Sequence, residues 1–195
     1  AIPDGLSVQA YGFSPPIVFH NQIVRQDEPY NLCAVSWLYR PQDGLELLGA
    51  GLLDITLTSA QPDLDIDLIV LRDDGDGRYE CNQDRLTYYS DGPGAEEHLR
   101  VNFPQDGVYW IGVQGVSVPG SNGSPFDAVI RAVQGSGLRL RGVPVGPLAA
   151  GQTITLQVDF TQDTLAPTGE PLDGLIYAGL PSVPGLVEIP ITLRP

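Results

Sequence analysis

Apolar and polar residues alternate along several short segments of the chain, a pattern typical of half-buried β-strands. In LLDITLT, Leu53, Ile55 and Leu57 alternate with polar residues. The clearest alternation lies in TITLQVDF, where the inward positions would be Ile154, Leu156, Val158 and Phe160. The segment VYWIGVQGV is apolar on both faces, which indicates a strand in the middle of a sheet.

Strand-like segments recur along most of the chain, with roughly six between residues 30 and 134 and four after residue 134. The chain also contains 23 Gly and 18 Pro, which suit short strands joined by turns and argue against long helices. We therefore predict an all-β fold made of two antiparallel β-sandwiches of the jelly-roll or immunoglobulin-like type.

The same pattern suggests three regions. Residues 1–29 are rich in proline and are predicted to form an extended N-terminal arm. Residues 30–134 would form the first sandwich and residues 135–195 a smaller one of the immunoglobulin or fibronectin III type, joined by QGSG at 134–137. In LVEIPITLR, Pro190 cannot donate a hydrogen bond to a neighbouring strand, so this strand is predicted at a sheet edge or at a bulge.

The charge balance excludes some partners. The 195 residues include 24 acidic and 10 basic residues, so the formal net charge is −14. Binding to nucleic acid or to an anionic membrane surface needs clustered Lys and Arg, and neither is expected here. Membrane insertion is not expected either, since no apolar run approaches the length of a membrane span.

The two cysteines, Cys33 and Cys81, both lie in strand-like segments. They could form a disulfide between two strands, or they could be two unrelated buried thiols. The even count and the acidic, turn-rich composition favour the disulfide and an oxidising compartment. We therefore expect a secreted, extracellular or cell-surface protein from a bacterium or archaeon.

An acidic cluster is the strongest candidate site. Asp63, Asp65 and Asp67 would share one face of a strand, and the following turn adds three more carboxylates, from Asp73, Asp74 and Asp76. Calcium binds six to eight oxygen atoms from carboxylates and turn carbonyls, so these six residues form a candidate calcium site. The alternative is a solvated polar face followed by an ordinary turn rich in Asp and Gly.

Several of these segments resemble the bacterial pre-peptidase C-terminal domain over residues 45–134. The resemblance rests on DLDIDLIVLRDDGDG, HLRVNFPQDGVYWIGVQGV and SPFDAVIRAV, and the matching positions are Asp63, Leu64, Asp65, Asp106, Gly107, Tyr109, Ile111 and Val113. The tail from GQTITLQVDF onward resembles the small β-sandwich that follows this domain in some secreted subtilisin-like proteases. The resemblance implies a secreted, non-catalytic β-sandwich, and some members of the family bind calcium or polymeric substrates. This chain departs from the usual context because it contains no protease domain.

No enzyme activity is predicted, since no serine shows a nucleophile-elbow pattern and the only candidate bases are His20 and His98. We expect instead a structural subunit that self-associates into a filament or surface array by exchange of strands or arms. The candidate assembly residues are Leu6, Val8, Ala10, Val187, Ile189 and Ile191. The alternative is a calcium-stabilised accessory module cut from a secreted subtilisin-like protease.

Overall fold

The computed structural model describes residues 4–28, 31, 33–39, 44–160 and 171–194. These residues contain fourteen β-strands and no helix, which confirms the predicted all-β class for this part of the chain. The strands are β1 (Ser7–Ser14), β2 (Ile17–Val24), β3 (Trp37–Tyr39), β4 (Leu45–Leu47), β5 (Leu52–Thr58), β6 (Asp65–Arg72), β7 (Arg85–Ser90), β8 (Glu97–Asn102), β9 (Gly107–Ser117), β10 (Ser124–Val133), β11 (Leu138–Arg141), β12 (Gln157–Phe160), β13 (Leu172–Leu180) and β14 (Val183–Leu193).

The strands form four sheets. Their orders are β2-β10-β5-β8, β3-β9-β6-β7, β1-β13-β14 and β11-β12, and β4 also pairs with β9. The pairs of β6 with β7 and β9, and of β13 with β1 and β14, are antiparallel. The antiparallel pairing agrees with the prediction, whereas the sandwich arrangement stays a prediction. No helix among the described residues has the length and hydrophobicity needed to cross a membrane.

The described residues fall into two compact units, and each unit combines segments that are distant in sequence. One is drawn from residues 17–48 and 53–130, and the other from residues 1–16, 49–52 and 131–195. The first two strands lie within the predicted arm, but β1 pairs with β13 and β2 pairs with β10. A local pattern cannot show these partners, because they lie far along the chain. The predicted boundaries at residues 29 and 134 stay a prediction.

The unit that contains residues 17–48 and 53–130 has its apolar core on its middle strands. Leu53, Ile55 and Leu57 of β5 are fully buried, as their alternation predicts. Strand β9 is buried along most of its length and lies between β3 and β6, which confirms that it is a central strand. Strand β6 pairs with β9 up to Arg72, so the loop that follows β6 begins at the edge of this paired region.

The other unit has a smaller core, built around Phe13 of β1, Leu138 of β11 and Ile176 of β13. A second cluster contains Leu175 and Tyr177, also from β13. Strand β14 pairs with β13 and is the last strand of its sheet, which confirms the edge position predicted from Pro190.

The prediction for TITLQVDF is wrong in part. Only Gln157–Phe160 form a strand, and the inward positions Val158 and Phe160 are 38% and 51% exposed. Among the described residues, strand β12 pairs only with β11 in a two-stranded ladder, and no wider sheet of these residues buries one of its faces. Asp159, predicted to face solvent, is instead half-buried and forms an ion pair with Arg141.

Candidate functional site

The loop that follows β6 carries three carboxylates close together. One oxygen atom from each of Asp73, Asp74 and Asp76 lies within 4.8 Å of the others. The loop turns back on itself because the carboxylate of Asp73 accepts the backbone N–H groups of Gly75 and Gly77, at 2.8 and 3.2 Å. Both glycines have positive φ, at 114° and 73°, which L-residues with side chains rarely adopt. This group of carboxylates, called the acidic loop below, could hold a metal ion.

Asp84, the residue before β7, is a buried carboxylate beside the acidic loop that the sequence interpretation omitted. Burial raises its pKa, the backbone N–H groups of Glu80 and Asp74 lower it, and the charges of Asp73 and Asp74 raise it. The sequence signal for this residue is an Asp directly before the strand RLTYYS. An Asp at that position is equally typical of an ordinary turn, so the sequence could not identify it as a site residue.

The predicted disulfide between Cys33 and Cys81 is present. The two Cα atoms lie 5.3 Å apart across a sequence separation of 48 residues. Cys81 also packs against the buried cluster that contains Leu71 and Trp110. The disulfide therefore anchors the segment between the acidic loop and β7 to the folded unit, and it hints at an oxidising, extracellular environment.

The six aspartates of the predicted calcium site do not come together. Asp63 is exposed in a turn before β6, and Asp65 is the first residue of that strand. Asp67 and Asp73 are separated by about 20 Å at the usual rise of a strand. Asp63, Asp65 and Asp67 therefore lie outside the acidic loop, and one ion cannot bind all six residues.

Asp65 and Asp67 line a separate cavity of about 610 Å³ at the other end of β6. Asp65 accepts the backbone N–H of Gly94 at 2.8 Å. Burial raises the pKa of Asp67 to about 6, and the charges of Asp65 and Glu97 raise it as well. Glu97 is itself buried and accepts a hydrogen bond from the hydroxyl of Ser90. Like charges at this short range disfavour full ionisation, so this cavity favours protons and other cations over anions.

The six candidate assembly residues all lie in one unit, but their exposure differs. Val8, Ala10 and Ile191 are half-buried against the cluster around Phe13, and Leu6 is also half-buried. Val187 and Ile189 of β14 are 53% and 42% exposed. Two of the six residues are therefore free to contact another molecule.

The two histidines each lie beside a carboxylate. His20 Nδ1 is 3.2 Å from Asp127, and His98 Nε2 is 3.3 Å from Asp54. Arg100 also donates to Asp54, at 2.8 Å. Both histidine rings therefore have partners in the folded chain. The expectation that the chain has no enzyme activity stays a prediction.

Comparisons with protein-family models, with curated proteins and with solved structures give no match to this chain. The resemblance of residues 45–134 to the pre-peptidase C-terminal domain therefore stays a prediction.

Proposed function

We propose that this chain is a non-catalytic, extracellular β-protein that self-assembles into a filament or another surface array. The observation that carries the proposal is the outer edge of β14. This strand has 11 residues and, among the described residues, pairs only with β13. An unpaired edge leaves backbone N–H and C=O groups that another strand can bind.

The side chains of β14 support the same proposal. Four apolar residues of this strand are exposed, namely Val183, Leu186, Val187 and Ile189. Natural edge strands are usually protected by charges or prolines, and Glu188 is the only charged residue here. Pro184 and Pro190 have no N–H group, so strand addition is favoured in the segment 185–189 between them.

The partner that we propose is a second copy of this chain. Strand β1 forms the opposite edge of the sheet that ends in β14, and it contains no charged residue. Pairing of β1 from one copy with β14 of the next would be a head-to-tail contact, which extends into an open filament rather than a closed dimer. The disulfide supports the extracellular location, and the net charge of −14 disfavours nucleic acid as the partner.

Substitutions on the edge of β14 test this proposal. We expect Val187→Lys combined with Ile189→Lys to abolish assembly, because two ammonium groups would lie in the strand contact. Val145→Lys makes the same chemical change at a fully exposed valine outside the strands and should leave assembly unchanged. Electron microscopy and sedimentation velocity of the three chains measure this difference. A wild-type chain that stays monomeric at every accessible concentration would overturn the proposal.

A second candidate function is a calcium-stabilised accessory module of a secreted subtilisin-like protease. The acidic loop favours it, since calcium is the ion that prefers carboxylate and backbone oxygens in a flexible loop. This candidate predicts a monomer, whereas the assembly proposal predicts an oligomer. The sedimentation experiment therefore separates the two.

A further inference from the structure

The cavity lined by Asp65 and Asp67 also has a buried amide in its wall. Gln114 of β9 is only 1% exposed, and it lines this cavity. Asp67 and Gln114 are direct partners across the pair of β6 and β9, so their side chains lie on the same face of the sheet. A carboxylate and a buried amide therefore meet at the same place in the cavity.

The amide of Gln114 is held in one orientation. Its Nε2 donates to the backbone carbonyls of Glu28, Asn31 and Ala34, at 3.2, 2.7 and 3.0 Å. A flipped amide would place Oε1 against three carbonyl oxygens, which repel it. In the described part of the chain, no donor forms a hydrogen bond with this Oε1. Since buried polar atoms usually have a partner, this oxygen is free to accept a donor that enters the cavity.

The charges around the cavity have one sign. Three carboxylates line it, from Asp65, Asp67 and Asp91, and its described lining contains no Arg or His. Glu97 adds a buried carboxylate behind this wall, where it accepts a hydrogen bond from the hydroxyl of Ser90. A ligand with a positive charge and several N–H donors would meet both the carboxylates and the free amide oxygen.

The spacing of the carboxylates disfavours a single metal ion. Among the residues that the structure describes, the acidic loop is the one group in which ligand atoms of three His, Cys, Asp or Glu residues lie within 4.8 Å of one another. The carboxylates of the cavity do not meet this limit, so one ion cannot bind all three. The volume of about 610 Å³ is instead in the range of sites for small organic molecules.

The rest of the cavity wall is apolar or aromatic. It consists of side chains from β6, β7, β9 and the segments that follow β7 and β9, namely Leu68, Ile69, Leu86, Tyr89, Pro93 and Val116. Tyr89 is 59% exposed, so its ring is accessible to a ligand. An apolar chain can lie on such a surface while a charged group at its end reaches the carboxylates.

We propose that this cavity binds an organic cation that consists of an alkyl chain ending in a primary ammonium group. The ammonium group would donate to Oε1 of Gln114 and to the carboxylate of Asp67, and the alkyl chain would lie on Ile69 and Tyr89. A tetrahedral ammonium group donates in three separate directions, which suits acceptors on two strands. A planar guanidinium group pairs best with both oxygens of one carboxylate.

The ligand comes from another molecule. This chain contains no Lys, so a second copy has no ammonium side chain to offer. The same chemistry is found in a free alkylamine and in a lysine side chain of a different protein. The inference goes beyond the proposed self-assembly and does not rest on it.

An NMR titration of the ¹⁵N-labelled full chain with pentylammonium chloride tests the proposal. We expect the signals of the Gln114 side-chain amide and of the Gly94 backbone N–H to shift, because Gly94 donates to Asp65 in the cavity wall. Asp67→Asn should lower the affinity roughly tenfold or more, since it removes a charged acceptor and keeps the size of the side chain. Asp63→Asn makes the same change at an exposed turn outside the cavity and should leave the affinity unchanged.

A series of ligands tests the apolar wall and the charge separately. Methylammonium should bind at least tenfold more weakly than pentylammonium, because it buries no alkyl chain. Pentanol keeps the chain without the charge and should not bind. Butylguanidinium should bind more weakly than pentylammonium, and equal affinity would overturn the choice of an ammonium group. Nα-acetyl-lysine amide separates the two sources, since its binding supports a lysine side chain and its failure beside bound pentylammonium supports a free amine.

Two further results would overturn the proposal. Equal losses of affinity in Asp63→Asn and Asp67→Asn would show diffuse attraction to the net charge of −14. A wild-type chain whose Gln114 amide signal does not shift would exclude the cavity as the site. If Asp67→Asn does not fold, Asp91→Asn replaces it, because this exposed residue also lines the cavity and its loss should weaken binding. A wild-type chain that assembles but binds no pentylammonium would overturn this inference alone.

Discussion

The carboxyl group of Asp67 couples the stability of the folded chain to pH. Its pKa is about 6 in the folded chain, whereas an unfolded aspartate titrates near pH 3.8. Between these values the folded chain binds more protons, so the stability from this group is present below about pH 4 and lost as pH rises through about 6. We predict that Asp67→Asn gains stability relative to wild type between pH 4 and pH 7. After allowance for solvent screening, the gain is on the order of 1 kcal/mol.

Urea unfolding gives the free energy of unfolding of wild type and Asp67→Asn at pH 4 and at pH 7. The gain is the change, between the two pH values, in the difference between the chains. Groups that titrate equally in both chains cancel in this comparison. Asp63→Asn, at an exposed turn position, should show no such change between the two pH values. An equal stability difference between wild type and Asp67→Asn at both pH values would contradict the predicted coupling.

At the scale of elements, strand β1 belongs to a core and is more than a detachable arm. Phe13 is buried with Leu138 and Ile176, and its ring lies 6.1 Å from that of Phe160. We predict that Phe13→Ala lowers the free energy of unfolding by about 3 kcal/mol, measured by urea unfolding. Phe160→Ala removes the exposed ring of the same pair and should cost about 1 kcal/mol. Equal losses for the two variants would contradict this role.

A deletion of residues 1–16 would also remove Phe13, so substitutions on β14 test assembly more cleanly.

The hydrophobic pattern predicted the strands in which one face or both faces are buried. It predicted β5 and β9 because their apolar residues meet a core, and Pro190 indicated an edge or a bulge for β14, which lies at an edge. It did not predict β2, whose middle residues are polar and whose partner β10 is distant in sequence. The pattern also overestimated β12, because alternation indicates a strand but not whether anything covers its face.

At the scale of the whole molecule, the acidic loop depends on distant segments that no local pattern identifies. Asp73, Asp74 and Asp76 are adjacent in sequence and could be predicted as a group. Asp84 comes near Asp73 and Asp74 because the chain turns back before β7, and the disulfide brings Cys33 from 48 residues earlier to the same segment. The sequence therefore predicted the three carboxylates of the acidic loop, while the buried Asp84 beside them required the structure.

The disulfide should stabilise the fold and the acidic loop together. For a sequence separation of 48 residues, the chain-entropy model gives about 4 kcal/mol of stabilisation. We predict that a reductant lowers the urea midpoint of wild type and weakens any calcium binding by the acidic loop, because Cys81 anchors the segment that directly follows this loop. The double variant Cys33→Ala, Cys81→Ala should match reduced wild type and should not respond to reductant. A wild-type midpoint that reductant leaves unchanged would contradict a stabilising disulfide. Loss of stability without loss of calcium affinity would show that the loop holds its geometry without the disulfide.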